Sequence, residues 1–78
     1  MAKWILYHTD GCHLCEQAHA LLTPLLDDDS LQLIDIMSDE TLISKYQTSI
    51  PVLESERGQQ FFWPFTAQDV RQFFTQTE

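Results

Sequence analysis

Two cysteines with two residues between them, Cys12 and Cys15, are the residues of this chain whose type and spacing point most directly to chemistry. They are the only cysteines among its 78 residues. Residues three apart on a helix are neighbours, so this pair can close a disulfide. A thiol at a helix N-terminus is stabilised as a thiolate by unpaired N–H groups and by the helix dipole. The pair therefore predicts reversible dithiol–disulfide chemistry.

The two thiols are expected to differ in their surroundings. A helix is predicted to begin at about Cys12, after the break at 9–11, and its apolar arc has six members, which are Leu14, Ala18, Leu21, Leu22, Leu25 and Leu26. Cys15 falls inside this arc, whereas Cys12 lies at its edge. We therefore assign Cys12 as the attacking thiolate and Cys15 as the shielded resolving thiol. His13, between them, is predicted to point to solvent.

Three other interpretations of the cysteine pair stay open. A structural disulfide over so short a loop would restrain the unfolded chain by only about 2 kcal/mol. Two buried cysteines could also share this spacing by chance. The third is a metal site, in which Cys12, Cys15, His19 and His8 would supply the ligands. A hydrogen-bonded structural role is the commoner outcome for a histidine placed like His19, so redox chemistry is the interpretation we prefer.

The composition limits the classes of partner. Twelve Asp and Glu against four Lys and Arg give a formal net charge of −8. This balance argues against a nucleic-acid partner and against an anionic membrane surface, since both require clustered cations. No apolar run approaches the roughly 20 residues of a membrane span, and the start lacks the features of a secretory signal. We expect a complete, cytoplasmic, monomeric chain with one domain over residues 1–78.

Seven elements are predicted to position the cysteine pair. Residues 4–7 form a buried central strand, and Pro24 ends the first helix near Thr23, with 27–29 as the exit turn. Residues 31–37 form a second strand, after which Ser38 or Asp39 caps a short helix. Two strands at 50–53 and 60–63 form a hairpin around 56–59. The alternating first half predicts a parallel β-α-β unit in the same sheet as the antiparallel hairpin.

The last element is predicted to be a capped helix. Thr66 and Asp69 fit a capping box. Val70, Phe73 and Phe74 follow with the spacing of one buried stripe.

Together, Cys12-x-x-Cys15, Ile50-Pro51 at the third strand and the capped last helix resemble a glutaredoxin-like protein of the thioredoxin fold, over essentially the whole chain. The resemblance implies an α/β three-layer sandwich of order β-α-β-α-β-β-α with a mixed four-stranded sheet. It also implies that Pro51 follows a cis bond and faces the dithiol. Ser49, Ile50 and Pro51 would then offer the backbone with which a substrate chain pairs.

Several positions depart from the resemblance. Glutathione-using relatives usually carry Lys or Arg where this chain has Thr9, and a Gly-Gly pair where it has Phe65-Thr66. Trp63 and Asp69 are similar to a pattern in the small redoxins that reduce ribonucleotide reductase, although Trp63 is slightly better explained as a core or rim aromatic. These departures predict that glutathione is a weak partner or none.

The sequence thus predicts a thiol–disulfide oxidoreductase or electron carrier that reduces a protein disulfide. No bound cofactor or metal is required, but an unidentified reductant must regenerate the dithiol. Backbone N–H groups of Ala67 and Gln68 could bind one substrate carboxylate weakly. The alternatives are a thiolate-based metal carrier and an interaction domain that keeps the fold without turnover.

Overall fold

Four strands form one mixed sheet in the computed structural model, which describes residues 4–26 and 29–77, without the side chains of 73–77. The strands are β1 (Trp4–His8), β2 (Leu31–Asp35), β3 (Val52–Ser55) and β4 (Gln60–Phe62). Their order across the sheet is β2-β1-β3-β4. β1 runs parallel to β2, whereas β3 is antiparallel to both β1 and β4. The predicted β-α-β unit and hairpin therefore share one sheet.

Three α-helices connect and cover these strands. They are α1 (His13–Leu22), α2 (Glu40–Tyr46) and α3 (Ala67–Thr77), and a 3-10 turn at Ile36–Ser38 precedes α2. The element order is the predicted β-α-β-α-β-β-α, so the predicted fold class is confirmed. No helix in the described part of the chain is long and apolar enough to cross a membrane.

The sheet is buried on both faces because its side chains alternate between two apolar clusters. The cluster on the face of α1 and α3 has eight buried members, which are Trp4, Leu6, Ala18, Leu22, Leu26, Leu53, Phe65 and Val70. The cluster on the face of α2 consists of Tyr7, Ile36, Tyr46 and Val52. These clusters make the three layers, with β1 as a central strand that contributes to both.

α1 begins and ends where the sequence predicts, but its buried face is rotated about the helix axis relative to the predicted apolar arc. Cys12 is the N-cap, and the helix ends at Leu22, one residue before Thr23 and two before Pro24. The buried positions are Cys15, Ala18 and Leu22. Leu14, which was expected in the apolar arc, is 46% exposed. At about 100° per residue, Leu14 lies roughly a quarter-turn from the centre of the buried stripe, so that expectation is wrong.

The second predicted strand is too long. β2 ends at Asp35, whose Oδ1 accepts the N–H of Met37 at 2.9 Å. The hydroxyl of Ser38 donates to the Asp35 carbonyl at 2.7 Å, which closes the 3-10 turn. The cap of α2 is Asp39, whose Oδ1 accepts the Thr41 N–H at 2.7 Å. A local hydrogen-bonding side chain thus ends the strand before the apolar run of the sequence does.

The hairpin forms as predicted, with shorter strands. β3 begins after Pro51, and β4 ends before Trp63. Gly58 has φ 87°, in the left-handed region that glycine tolerates. Ser55 is 5% exposed, and its Oγ accepts the N–H groups of Arg57 at 3.3 Å and Gln59 at 3.2 Å. The hydroxyl thus adds two hydrogen bonds to a turn that the backbone of Ser55 also closes, through Gln59 and Gly58.

The capping box of α3 is confirmed. The Thr66 N–H donates to Asp69 Oδ2 at 2.9 Å, and the Asp69 N–H donates to Thr66 Oγ1 at 3.1 Å. Val70 is fully buried. The side chains of Phe73 and Phe74, and residues 27 and 28 of the predicted exit turn, lie outside the described part of the structure.

A polar network on the α2 face joins that helix to the sheet. The rings of Tyr7 and Tyr46 stack with centroids 4.6 Å apart. Gln60 Nε2 donates to Tyr46 Oη at 2.6 Å and to Glu54 Oε1 at 2.9 Å. Burial, followed by the nearby Glu54 carboxylate, raises the pKa of Tyr7. The network fixes the C-terminal end of α2, which leads directly into the segment before Pro51.

The Ser55 contacts generate a stability prediction. Ser55→Ala removes the acceptor of two turn N–H groups and should lower the free energy of unfolding by about 1–3 kcal/mol. Urea unfolding of the oxidised protein measures this loss. Ser44→Ala is the matched control, because Ser44 is exposed within α2, where alanine is the better helix former. Equal stability of the two variants would contradict the assigned role of the Ser55 hydroxyl.

Candidate active site

The cysteine pair lies at the end of the sheet where β1 leads into α1. The connection is a short turn in which Gly11 has φ 82°, a conformation that glycine adopts without strain. The Cys12 N–H donates to the Thr9 carbonyl at 3.4 Å. This turn confirms the predicted break at 9–11 and brings Cys12 to the start of the helix.

Cys12 and Cys15 form a disulfide, with their Cα atoms 5.2 Å apart. Cys12 is the N-cap of α1, with φ −88° and ψ 102°, and its Sγ accepts the Cys15 N–H at 3.2 Å. Cys15 is 4% exposed, whereas Cys12 is partly exposed. One sulfur therefore takes the place of a capping oxygen at the helix start, and the other belongs to the core.

The first turn of α1 carries an acidic side chain. Glu16 lies in that turn, and its Oε2 is 3.4 Å from His13 Nδ1. Both side chains are largely exposed, at 91% for His13 and 74% for Glu16. His13 thus points to solvent, as predicted. A surface contact of this kind contributes little to stability, so its importance lies in the charge that Glu16 places beside the disulfide.

A cleft of about 140 Å³ opens on the inner side of the disulfide. It is lined by nine residues of β1, its following turn, α1 and β2, which are Leu6, His8, Thr9, Asp10, Gly11, Cys15, Glu16, His19 and Leu33. The sequence does not predict this cleft. Leu33 is 44% exposed there, and no local pattern signals that an apolar residue of an edge strand stays uncovered.

The predicted metal ligands do not assemble into a metal site. His8, His19 and Cys15 all border the cleft, whereas Cys12 does not. Among residues 4–26 and 29–77, no three His, Cys, Asp or Glu side chains come together as metal ligands would. His19 is exposed, so the hydrogen-bonded structural role expected for it is also wrong.

The segment before β3 lies at the same end of the sheet as the disulfide. Val52 pairs with Tyr7, which puts the start of β3 beside the end of β1. Pro51 is buried, and the Ile50–Pro51 bond is cis. The N–H groups of Ser49 and Ile50 donate to the Tyr46 carbonyl, at 2.8 and 3.1 Å. Direct contact between Pro51 and the cysteine pair stays a prediction.

The start of α3 follows the end of β4 and therefore belongs to this same end of the sheet. Ala67 and Gln68 are its first residues, between the two partners of the capping box. The Asp69 carboxylate thus lies at the start of α3, where it accepts the Thr66 N–H. Trp63 packs edge-to-face on Phe65, with centroids 5.1 Å apart, which confirms its role as a packing aromatic. The Trp63–Pro64 bond is also cis.

A mixed four-stranded sheet with helices on both faces, and a CxxC disulfide at the start of the first helix, defines a small redox protein of the thioredoxin fold. Residues 3–75 match the family model described as Glutaredoxin-like domain (DUF836), and the chain belongs to that family. A search of curated proteins gave no match.

Solved structures agree with this assignment. The X-ray structure of the Northeast Structural Genomics target protein XcR50 from X. campestris is 33% identical, with 92% of this chain and 95% of that chain covered and a TM-score of 0.81. The solution structure of the same target is 32% identical, with coverages of 94% and 92% and a TM-score of 0.80. Protein Ne2328 from Nitrosomonas europaea is 27% identical, with coverages of 91% and 88% and a TM-score of 0.74.

The unequal exposure of the two sulfurs predicts unequal reactivity. In the reduced protein, Cys12 should alkylate at least about tenfold faster than Cys15, because Cys12 is accessible and its thiolate is favoured at the helix start. Timed iodoacetamide labelling followed by peptide mass spectrometry measures both rates at once. The urea-unfolded protein is the control, in which the two rates should converge. Equal rates in the folded state would overturn the assigned roles.

Proposed function

We propose that the protein is a dithiol–disulfide oxidoreductase, or electron carrier, that reduces disulfides of partner proteins. The observation that supports this most strongly is the difference between the two sulfurs. Cys12 Sγ accepts a hydrogen bond from the Cys15 N–H at the exposed start of α1, and Cys15 itself is buried one turn further on. A purely structural disulfide needs no such difference.

The proposed cycle transfers two electrons. The Cys12 thiolate attacks one sulfur of the partner disulfide, and the other partner sulfur leaves as a thiolate that takes up a proton. Cys15 then loses its proton and attacks Cys12 Sγ in the mixed disulfide. The second partner sulfur leaves and is protonated, and Cys12 and Cys15 remain as the disulfide. A separate reductant returns two electrons and two protons to the pair.

The residues around the pair support this division of labour. In the reduced protein, the Cys15 N–H and the other free N–H groups of the first turn favour the thiolate of Cys12. Burial of Cys15 favours the neutral thiol until the mixed disulfide forms. The cycle therefore begins at Cys12 and ends at Cys15, and it requires no bound cofactor.

Substrate pairing at 49–51 would use carbonyl groups. Pro51 has no N–H, and the N–H groups of Ser49 and Ile50 already donate to Tyr46. A substrate backbone that lies beside Pro51 would therefore have to donate its own N–H groups. This polarity fits an extended protein segment better than a small thiol.

The charges favour a protein partner over glutathione, which is anionic. The chain has only four cations, and Thr9 occupies the position of the usual one. The Asp69 carboxylate is bound at the start of α3, so it competes with any carboxylate that approaches the N–H groups of Ala67 and Gln68.

We propose that the protein is a cytoplasmic monomer and that an unidentified reductant maintains the dithiol.

Single cysteine variants test the proposed cycle. Cys12→Ser should reduce the single-turnover reduction of 2-hydroxyethyl disulfide to background, because the attacking sulfur is absent. Cys15→Ser should instead accumulate a mixed disulfide, which mass spectrometry detects as an adduct on Cys12. Full activity in Cys12→Ser would contradict the cycle. A wild-type protein that is inactive towards every disulfide would instead be the interaction domain, and stoichiometric bound metal would identify the metal carrier.

The source of electrons gives a separate prediction. Reduction of the Cys12–Cys15 disulfide by a thioredoxin–thioredoxin reductase system should exceed reduction by millimolar glutathione by at least about tenfold, since the site is acidic. Loss of NADPH absorbance, with glutathione reductase as the coupling enzyme for the glutathione arm, measures both rates. Fast and saturable turnover with glutathione would show that the missing cation does not matter.

A further inference from the structure

The cleft beside Cys15 is built from an apolar floor. Leu6 and Leu33 are paired in register on β1 and β2, so they lie on the same sheet face, below α1. Cys15 is the third apolar residue that lines the cleft. The volume of about 140 Å³ is well below the roughly 300–1,000 Å³ of small-molecule pockets. The cleft is therefore of a size for one side chain rather than for a whole ligand.

The rim of the cleft is acidic. Asp10 and Glu16 line it, together with His8 and His19. His13 faces Glu16 from outside, and no Lys or Arg is among the lining residues. Asp10 and Glu16 are therefore the carboxylates that give the rim its negative charge. An apolar side chain with a cation beside it complements both the floor and the rim.

The position of the cleft relates it to the reactive sulfur. Gly11 and Cys15 both line it, and Cys12 lies between them in the chain. The cleft lies on the β2 side of β1, whereas the segment before β3 lies on the other side. A substrate held at both places would cross the start of α1, where Cys12 is partly exposed.

We propose that this cleft is a docking site for the protein substrate, and that it takes one apolar side chain flanked by Lys or Arg close to the substrate's disulfide. This inference rests on the proposed function and names the class of its partner. The exposed Leu33 is the anchor contact, and Asp10 and Glu16 bind the cation. Attack by Cys12 then follows with the disulfide already positioned.

The test compares two peptides that each contain one internal disulfide. One carries Leu-Lys beside the cysteines, and the other carries Ser-Glu. Single turnover of the pre-reduced protein at pH 8 is followed by stopped flow, which gives a half-saturating concentration and a limiting rate for each peptide. We expect half-saturation at about tenfold lower concentration for the Leu-Lys peptide. This advantage should shrink as salt is raised from 20 to 500 mM, concentrations chosen to span about a fivefold change in screening length.

Variants locate the docking site. Leu33→Gln and the double variant Asp10→Asn/Glu16→Gln should each remove most of the preference for the Leu-Lys peptide, because each should raise the half-saturating concentration of that peptide. Phe62→Gln, at an exposed apolar residue of β4, and Glu56→Gln, in the distant hairpin turn, are the matched controls. Both controls should keep the preference. Circular dichroism shows that each variant is folded. The ratio of the two half-saturating concentrations is compared within each variant, so a rate change common to both peptides does not affect the comparison.

The outcomes separate the two proposals. Absent turnover of 2-hydroxyethyl disulfide and of both peptides by the wild-type protein would defeat the proposed function. Normal turnover of the small disulfide with equal half-saturation for the two peptides would overturn the docking site alone. A preference that survives both cleft variants but is lost in Phe62→Gln would also overturn it, because the contact would then lie on the opposite edge of the sheet.

Discussion

The packing of α1 on the sheet is the constraint on which the site depends. Cys15, Ala18 and Leu22 form its buried stripe, and the last two are completely buried. Once this stripe is in the core, helix geometry puts the residue three positions before Cys15 at the exposed start of the helix. Core packing therefore makes one thiol accessible and shields the other, without any polar residue dedicated to that purpose.

The opposite face of the sheet holds the segment before Pro51 in place. Tyr7 of β1 stacks on Tyr46, whose carbonyl accepts the N–H groups of Ser49 and Ile50. The same strand leads, through Gly11, to the disulfide on the α1 face. β1 thus connects two separately packed layers at one end of the sheet.

Features that depend on neighbouring residues could be predicted from the sequence, and features that depend on tertiary packing could not. The helix start at Cys12, its end before Pro24 and the capping box of Thr66 follow from local hydrogen bonding and backbone geometry. The exposure of Leu14 could not be predicted, because it depends on which side of an apolar arc meets the sheet. The cleft required the pairing of Leu6 with Leu33, residues far apart in the chain.

Carboxylates occupy the first turns of the two helices that begin at this end of the sheet. Glu16 and Asp69 lie in the first turns of α1 and α3, where a negative charge complements the helix dipole and stabilises the helix. At the same places, a fixed carboxylate competes with any anion that would use the free N–H groups. Under the proposed function, the charges that stabilise the two helices would therefore disfavour anionic thiols and favour a cationic protein surface.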